Sequence, residues 1–427
     1  MNELHNIVIV GGGAGGLELA TLLGAHLGKP AKAKITLVDQ NLTHIWKPLL
    51  HEIAVGALNA HTEELNYFAH AAQHDYTFVL GRFIQLDRAN KSILLEHPFT
   101  GVSEEHRHYS LNYDTLIFAI GSTSNDFNTE GVREHCHFLD NRAQAEQFQQ
   151  QLLRLYLTAQ TQTTTPDLNI AIIGAGATGV ELAAELVQST QSFQRYGLNK
   201  IDPKRIKISL IEAADRILPA LSEDMAQHTS RELHAANIQV LTHKRVSKID
   251  AQQIYFSQGS SIPADLKVWC AGIQAPKVFQ QLAEFEKDHL SRLKVYATLQ
   301  TKTDPNIFAF GDCAHCQPVA NEAVLGPRAQ VASQQAHFLV NAMTARIKNK
   351  ALPMFKFSDK GSLVSLSHHK AVGELLGQVN VQGWVAKSLY VSLYRMHQTT
   401  LHGYTHTAYL MVKDAMNKKI APKIKLH

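Results

Sequence analysis

The chain has 427 residues, enough for two or three domains and more than one hydrophobic core. Its 45% hydrophobic and 18% charged content is that of a globular protein, and a formal net charge of +4 without long blocks of like charge excludes nucleic acid as a natural partner. Four scattered cysteines exclude a disulfide framework, the absence of an 18-residue apolar run excludes a transmembrane helix, and the opening residues lack the regions of a signal peptide. These exclusions predict a cytoplasmic, reducing compartment and, at most, peripheral membrane contact.

The first predicted strand, Ile7-Val-Ile-Val10, runs into Gly11-Gly-Gly13-Ala-Gly-Gly16 and an Ala/Leu-rich helix. In such a dinucleotide fingerprint the first glycine (Gly11) allows the tight turn, the second (Gly13) lets backbone approach the pyrophosphate, and the third (Gly16) lets helix pack on strand. The helix N-terminus meets the phosphate charge. A second strand, Ile35-Thr-Leu-Val-Asp39, ends in an acid placed to bind an adenosine ribose hydroxyl. A more variable stretch leads to the strand 113–120, closed by Gly121.

A glutamine-rich helix over 140–157 and a polar tract over 158–167 lead to a second copy of the same plan. It comprises Ile170-Ala-Ile-Ile173, Gly174-Ala-Gly176-Ala-Thr-Gly179 and Ile208-Ser-Leu-Ile-Glu212, with 192–205 inserted before the acidic strand. The strand 266–270 is closed by Gly272, the counterpart of Gly121. Two fingerprints in full context predict two bound dinucleotides, and an acid at Glu212 repels a 2′-phosphate, favouring NADH over NADPH.

The chain then returns toward the first half with strands near 293–296 and 304–310, ending at Gly311-Asp312, so one domain is inserted within another. The expected division is 1–125 and 291–352 for the outer dinucleotide domain, 126–290 for the inner one, and 353–427 for a C-terminal region. That last region opens with a hairpin, 361–367 against 371–375. Two amphipathic stretches follow, in which Trp384, Tyr390, Tyr394, Tyr404 and Tyr409 stand among Lys387, Arg395, Lys413, Lys418, Lys419, Lys423 and Lys425 against the single acid Asp414. That mixture suits helices lying on an anionic membrane surface. Packing against the body of the protein, or a homodimer contact, is the competing use of the same faces.

Cys313-Ala-His-Cys316 could form a redox disulfide or half a metal site, but no second CxxC follows. Both thiols are therefore read as structural, and no metal is expected. The histidines form no HExxH spacing; His368, His369 and His406 read as surface residues.

Taken together, the first fingerprint, Trp46-Lys-Pro-Leu-Leu-His-Glu52, Gly121-Ser-Thr-Ser-Asn-Asp-Phe-Asn128, the second fingerprint, Ile217-Leu-Pro-Ala220, Gly311-Asp-Cys-Ala314, Arg328-Ala-Gln330, Ser392-Leu-Tyr-Arg-Met-His397 and Leu401-His-Gly-Tyr404 resemble the two-dinucleotide-binding-domain flavoproteins. Within that superfamily they are similar to the type II NADH dehydrogenases, in their enterobacterial form. The resemblance implies an α/β fold of two Rossmann-like domains with a C-terminal membrane-anchoring region. FAD would be held tightly by the first half, NADH bound transiently by the second, and a membrane quinone would accept the electrons without proton pumping. The place of work implied is the cytoplasmic face of a bacterial inner membrane.

Residue by residue, the resemblance implies that Asp312 binds the ribityl chain of FAD, although helix N-capping is its plainer use. Lys47 lies in a segment that packs beside the flavin ring, and Gly121, Gly272 and Ala329 join the cofactor-binding set. Glu181 sits in the first turn of the second fingerprint's helix. It is implied to lie by the nicotinamide and carry protons; the plainer reading is an acid complementing the helix dipole, which Glu18 at the same offset also allows. Gln330 and Gln334, one helical turn apart, are implied to face the quinone. A sulfide:quinone oxidoreductase is the rival enzyme, though it needs paired reactive cysteines and no working NADH site. An NADH-sensing flavoprotein with little turnover is the rival of another class.

Overall fold

The computed structural model describes residues 4–99, 101–161, 167–200, 202–319, 322–366, 370–375 and 379–420. The two β-branched runs form the central strands of two parallel sheets, as expected of segments buried on both faces. In the first sheet the order is Ile307–Ala309, Thr115–Phe118, His5–Val10, Ala33–Asp39 and Thr77–Leu80. In the second it is Ile238–Leu241, Ile206–Ile211, Leu168–Ile173 and Leu266–Trp269. Both acids expected at strand ends, Asp39 and Glu212, sit at the carboxyl edge of the strand next to their fingerprint strand.

The repeat extends past the motifs. Each half carries a three-stranded antiparallel sheet, Arg82–Asp87, Ser92–Glu96 and His108–Asn112 in the first, Val246–Ile249, Gln253–Phe256 and Ser261–Pro263 in the second. The strand Ile307–Ala309 comes after the whole second half yet pairs in parallel with Thr115–Phe118, which makes the second half an insertion. Ala275, Phe279, Leu282 and Phe285 already lie in the core of the first half, so the chain crosses back well before that strand. The second core holds Ile170, Ile172, Leu182 and Leu210, and Val364, Leu366 and Val372 of the C-terminal region join it.

The glutamine-rich helix runs Arg142–Gln160, three residues past its expected end, and Asn141 caps it by accepting the Gln144 N–H. The helix Ala177–Arg195 continues into the insertion before Glu212. The hairpin Gly361–Ser365 with Ala371–Leu375 gains a third strand, Val379–Gln382. The two amphipathic stretches join as Gly383–Ile420, broken at Gly403, whose φ of 76° and ψ of 170° are non-helical. Among the described residues no helix is long and apolar enough to cross a membrane.

Candidate active site

Both fingerprints form the same turn. Gly11 and Gly174 have φ of 109° and 104°, and a Cβ on either would stand 2.5 Å from the Ala119 carbonyl oxygen or 2.6 Å from the Ala271 nitrogen. Backbone hand and strand proximity each require glycine there. Where a Cβ would stand on Gly16 or Gly179, the carbonyl of Gly11 or Gly174 already lies, so each helix is seated directly on its strand. Over Gly13 and Gly176 nothing lies within 4 Å of a Cβ position, and the lip of each turn is open to a phosphate.

The strand-end acids brace these turns. Asp39 accepts the Gly12 N–H at 2.7 Å and Glu212 accepts the Ala175 N–H at 2.9 Å. The other oxygen of each takes an N–H two residues on, from Asn41 at 2.8 Å and from Ala214 at 3.0 Å. Burial raises the Asp39 carboxyl above its ordinary pKa, and the backbone donors work against that rise. A carboxylate thus stands at the mouth of each turn, where a ribose hydroxyl would reach it.

Lys47, Gly121 and Asp312 converge on one residue that sequence reasoning missed. Ser122 donates its hydroxyl to Asp312 at 2.9 Å, and its carbonyl accepts from Lys47 Nζ at 3.0 Å. Lys47 also lies 3.9 Å from Asp140, whose carboxylate takes the N–H and hydroxyl of Ser124. Gly121 and Gly272 lead into Thr123–Ser124 and Ile273–Gln274, which pair antiparallel and join the carboxyl edges of the two halves. Asp312 itself lies in a short 3-10 turn, Gly311–Cys313, rather than capping a long helix. The turn is held by Gln335, buried at 1% exposure, which accepts the Gly311 N–H at 2.8 Å. No spacing separates Gln335 from its glutamine neighbours; only burial does.

Glu181 is buried by residues distant in sequence. It accepts the Ser365 N–H at 3.0 Å, lies 3.6 Å from His51 Nδ1, and faces the Tyr390 hydroxyl. Burial pushes its carboxyl up to about 8, against the opposing Ser365 N–H, and lowers His51 to about 3. Near neutral pH both partners are therefore uncharged, and their contact is not an ion pair. Glu181 is the fifth residue of the helix Ala177–Arg195, past the first turn expected of it and past the position where an acid complements the helix dipole. One turn on, Glu185 is also buried, with its Oε2 unpartnered.

Gln330 and Gln334 do share a face, but their amides are spent on the segment before the hairpin. Gln330 donates to Asp359 and to the Gly361 carbonyl at 2.8 Å; Gln334 donates to the Ser358 carbonyl at 2.8 Å and accepts its N–H at 3.0 Å. Ala329 is the first residue of that helix, Ala329–Ile347. Cys313 and Cys316 are free, buried thiols, each pushed up to about 12 by burial, and Cys313 points at the Phe310 carbonyl. Among the described residues no histidine, cysteine or acid cluster could hold a metal ion.

Two of the basic side chains of the C-terminal helix are engaged within the protein. Lys387 turns inward to the Ser365 hydroxyl at 2.7 Å, and Arg395 pairs with Asp414 at 2.7 Å. The outward face carries exposed apolar side chains, with Trp384 75% exposed and Tyr404 85% alongside Met396, Tyr409, Met411, Val412 and Met416, and Lys413 is exposed among them. Lys423 and Lys425, the side chains of Lys418 and Lys419, and the pair His368 and His369 lie outside the described residues. His406 is exposed, with its ring stacked on His402 at 5.2 Å.

Two braced dinucleotide turns whose carboxyl edges are joined define a two-dinucleotide-binding oxidoreductase. The pyridine nucleotide-disulphide oxidoreductase family model matches residues 5–336, and the chain belongs to that family, within it to the type II NADH:quinone oxidoreductases. It is 42% identical to the type II NADH:quinone oxidoreductase of Haemophilus influenzae, over 99% of this chain and all of the relative. The Staphylococcus aureus enzyme of the same name is 26% identical, over 88% of this chain and 91% of its own. Among solved structures, NDH2 from Plasmodium falciparum in complex with NADH superposes with a TM-score of 0.85 at 21% identity, over 99% of this chain and all of that one. The sulfide:quinone oxidoreductase of Aquifex aeolicus superposes at 0.73 and 15% identity, over 99% and 96%, a likeness of fold. The flavoprotein cofactor set follows from the family: FAD, with NADH as substrate.

Proposed function

We propose that this chain oxidises NADH and reduces a membrane quinone by two electrons, without proton pumping, and that its residues divide the work as follows. The observation that carries the reading is the pair of turns, each open over its second glycine and each braced by its own carboxylate. Residues 1–125 and 291–352 hold FAD through Gly11, Gly13, Gly16, Asp39, Lys47, Gly121, Asp312 and Ala329. Residues 126–274 hold NADH through Gly174, Gly176, Gly179, Glu212 and Gly272, since the chain is back in the first core from Ala275 on. Bound FAD supplies two-electron exchange between NADH and quinone.

Glu181 is the proton-carrying residue of this reading. Oxidising NADH with quinone consumes one proton, and a buried carboxyl that is protonated below about pH 8 can deliver it. Gln330 and Gln334 hold the wall made by 358–361, beside which the quinone enters. They reach quinone carbonyls only by giving up those contacts. The exposed apolar face of the C-terminal helix rests on an anionic lipid surface, where Trp and Tyr rings sit well, on the cytoplasmic side of the membrane. The same face would serve a homodimer.

The sulfide rival lacks support, because Cys313 and Cys316 are buried and their thiols held far from the thiolate form. Anaerobic mixing of the holoenzyme with NADH, followed by a short-chain ubiquinone, tests the reading. Bleaching and prompt recovery of the flavin colour are expected. A protein bleached by sulfide and not by NADH would be the rival enzyme; one bleached by NADH but inert to quinone would be the sensor.

A further inference from the structure

The helix Gly383–Ile420 sends one side chain deep into the FAD-binding half. His397, 6% exposed, places Nδ1 2.7 Å from Glu18 Oε1 on the first fingerprint's helix and Nε2 3.2 Å from His44 Nε2. His44 Nδ1 lies 2.9 Å from the Gly12 carbonyl oxygen, which also accepts the Tyr67 hydroxyl at 2.6 Å. The Gly12 N–H goes to Asp39. Glu18, His397, His44 and Tyr67 are buried, and Glu18 Oε2 has no hydrogen-bond partner among the described residues.

The chemistry of the groups fixes the direction of this chain. A carbonyl oxygen only accepts, so His44 Nδ1 donates to Gly12. His44, held neutral by burial, must then accept at Nε2 from the N–H of His397. One proton remains between His397 Nδ1 and Glu18. Both lone pairs of the Gly12 carbonyl are thereby engaged in the Gly12–Gly13 peptide, and the Gly12 N–H of the preceding peptide is held by Asp39, so both peptide planes flanking Gly12 are tied down at the pyrophosphate turn.

We infer that the C-terminal helix is part of the FAD site: through His397, the Glu18–His397–His44 chain fixes the Gly12 carbonyl in the Gly12–Gly13 peptide, so that retention of FAD depends on a residue some 385 positions away in the same chain. These are positioning residues, since none of them need touch the flavin. The inference rests on FAD occupying the first fingerprint.

The test compares holoenzyme carrying His397→Ala, Glu18→Ala or both with Tyr394→Phe. The last breaks a different contact of the same helix, the Tyr394 hydroxyl to Glu63 at 2.9 Å, while keeping the ring that stacks on Trp46. Free-flavin fluorescence on dilution gives FAD dissociation, and thermal unfolding of each apoprotein gives general stability. The His397 and Glu18 variants are expected to release FAD at least about tenfold more readily, the scale of a lost buried hydrogen bond. The double variant should be no worse than the worse single one, as for residues in one chain. Tyr394→Phe should keep its FAD. Equal FAD loss in all variants, tracking their stability, overturns the inference, and so does unchanged FAD retention in His397→Ala. Wild-type protein without FAD would instead sink the cofactor assignment itself.

Discussion

The carboxyl of Glu181 accepts the backbone N–H of Ser365 at 3.0 Å across 184 residues of sequence. The C-terminal hairpin therefore closes over the second turn of the second fingerprint's helix, and it creates the burial that makes this acid unusual. Ser365 is 1% exposed, and Lys387 from the next helix completes the lid through the Ser365 hydroxyl.

The raised Glu181 pKa sets a pH dependence whose sign can be worked out. The acid is protonated below about 8 and loses its proton above it, so under the proposed proton-carrying role, delivery to the quinone should fall off as pH rises through that value. Quinone-dependent reoxidation of the flavin should show this inflection in the wild type. Glu181→Gln should lack it and run about a hundredfold slower, the low end of general-acid contributions. The same shift bears on stability: the folded state holds the proton more tightly than the unfolded one, whose ordinary value is 4.5. Glu181 thus destabilises progressively as pH climbs from 4.5 to about 8. Glu181→Gln should raise the Tm at pH 9 more than at pH 4; the reverse order would contradict the burial argument.

Glu212 has a double duty that separates two substitutions. Its carboxylate braces the Ala175 and Ala214 N–H groups and faces the expected ribose position. Glu212→Ala should weaken NADH by about tenfold or more and narrow the preference over NADPH, since a bracing acceptor and a charge both go. Glu212→Gln keeps an oxygen for Ala175 and should lose mainly the discrimination. Titration of NADH and NADPH against each variant reads both effects, and an unchanged ratio in Glu212→Ala would remove Glu212 from the specificity site.

Much of this architecture was legible because glycine turns, β-branched strands and strand-end acids are local signals. The fingerprints, the inserted domain and the acids Asp39 and Glu212 needed only neighbouring residues to be read. What could not be read was burial contributed from afar. Glu18 and Glu181 look alike in sequence, yet one meets His397 and the other Ser365 and His51. Gln330 and Gln334 stood out by spacing, whereas Gln335, the one that holds the Gly311 turn, had no periodic signal of its own. Ser122 was hidden in the same way, since its three neighbours Lys47, Gly121 and Asp312 are drawn from separate segments.

Removing the C-terminal helix does not separate membrane contact from flavin chemistry. Truncation before Trp384 would also remove Lys387, Tyr390 and His397, which pack against the body. Truncated protein should lose FAD as well as lipid. Charges placed on the outward face provide the selective variant: Tyr404→Glu with Val412→Glu touches side chains 85% and 61% exposed. Co-sedimentation with anionic vesicles should drop, while FAD content and reduction by NADH hold. Undiminished vesicle binding would locate the lipid contact elsewhere.

Gln335→Ala probes the FAD side independently of the C-terminal helix. The substitution leaves the Gly311 N–H without its buried acceptor, at a cost of about 1–3 kcal/mol. Gly311 and Asp312 share that turn, and among the described residues the Asp312 carboxylate is otherwise held by the Ser122 hydroxyl, so it should lose its aim as the turn relaxes. Weaker FAD retention is expected with a modest fall in Tm. Gln335→Glu offers the discriminating control: its carboxylate can still accept from Gly311 and should restore the turn, but it brings a second negative charge toward Asp312 within a buried site. FAD affinity in this variant should therefore recover at low pH, where the new acid is protonated, and fall as pH rises. Equal affinity at both ends of that range would mean that Gln335 fills space beside the turn rather than holding it.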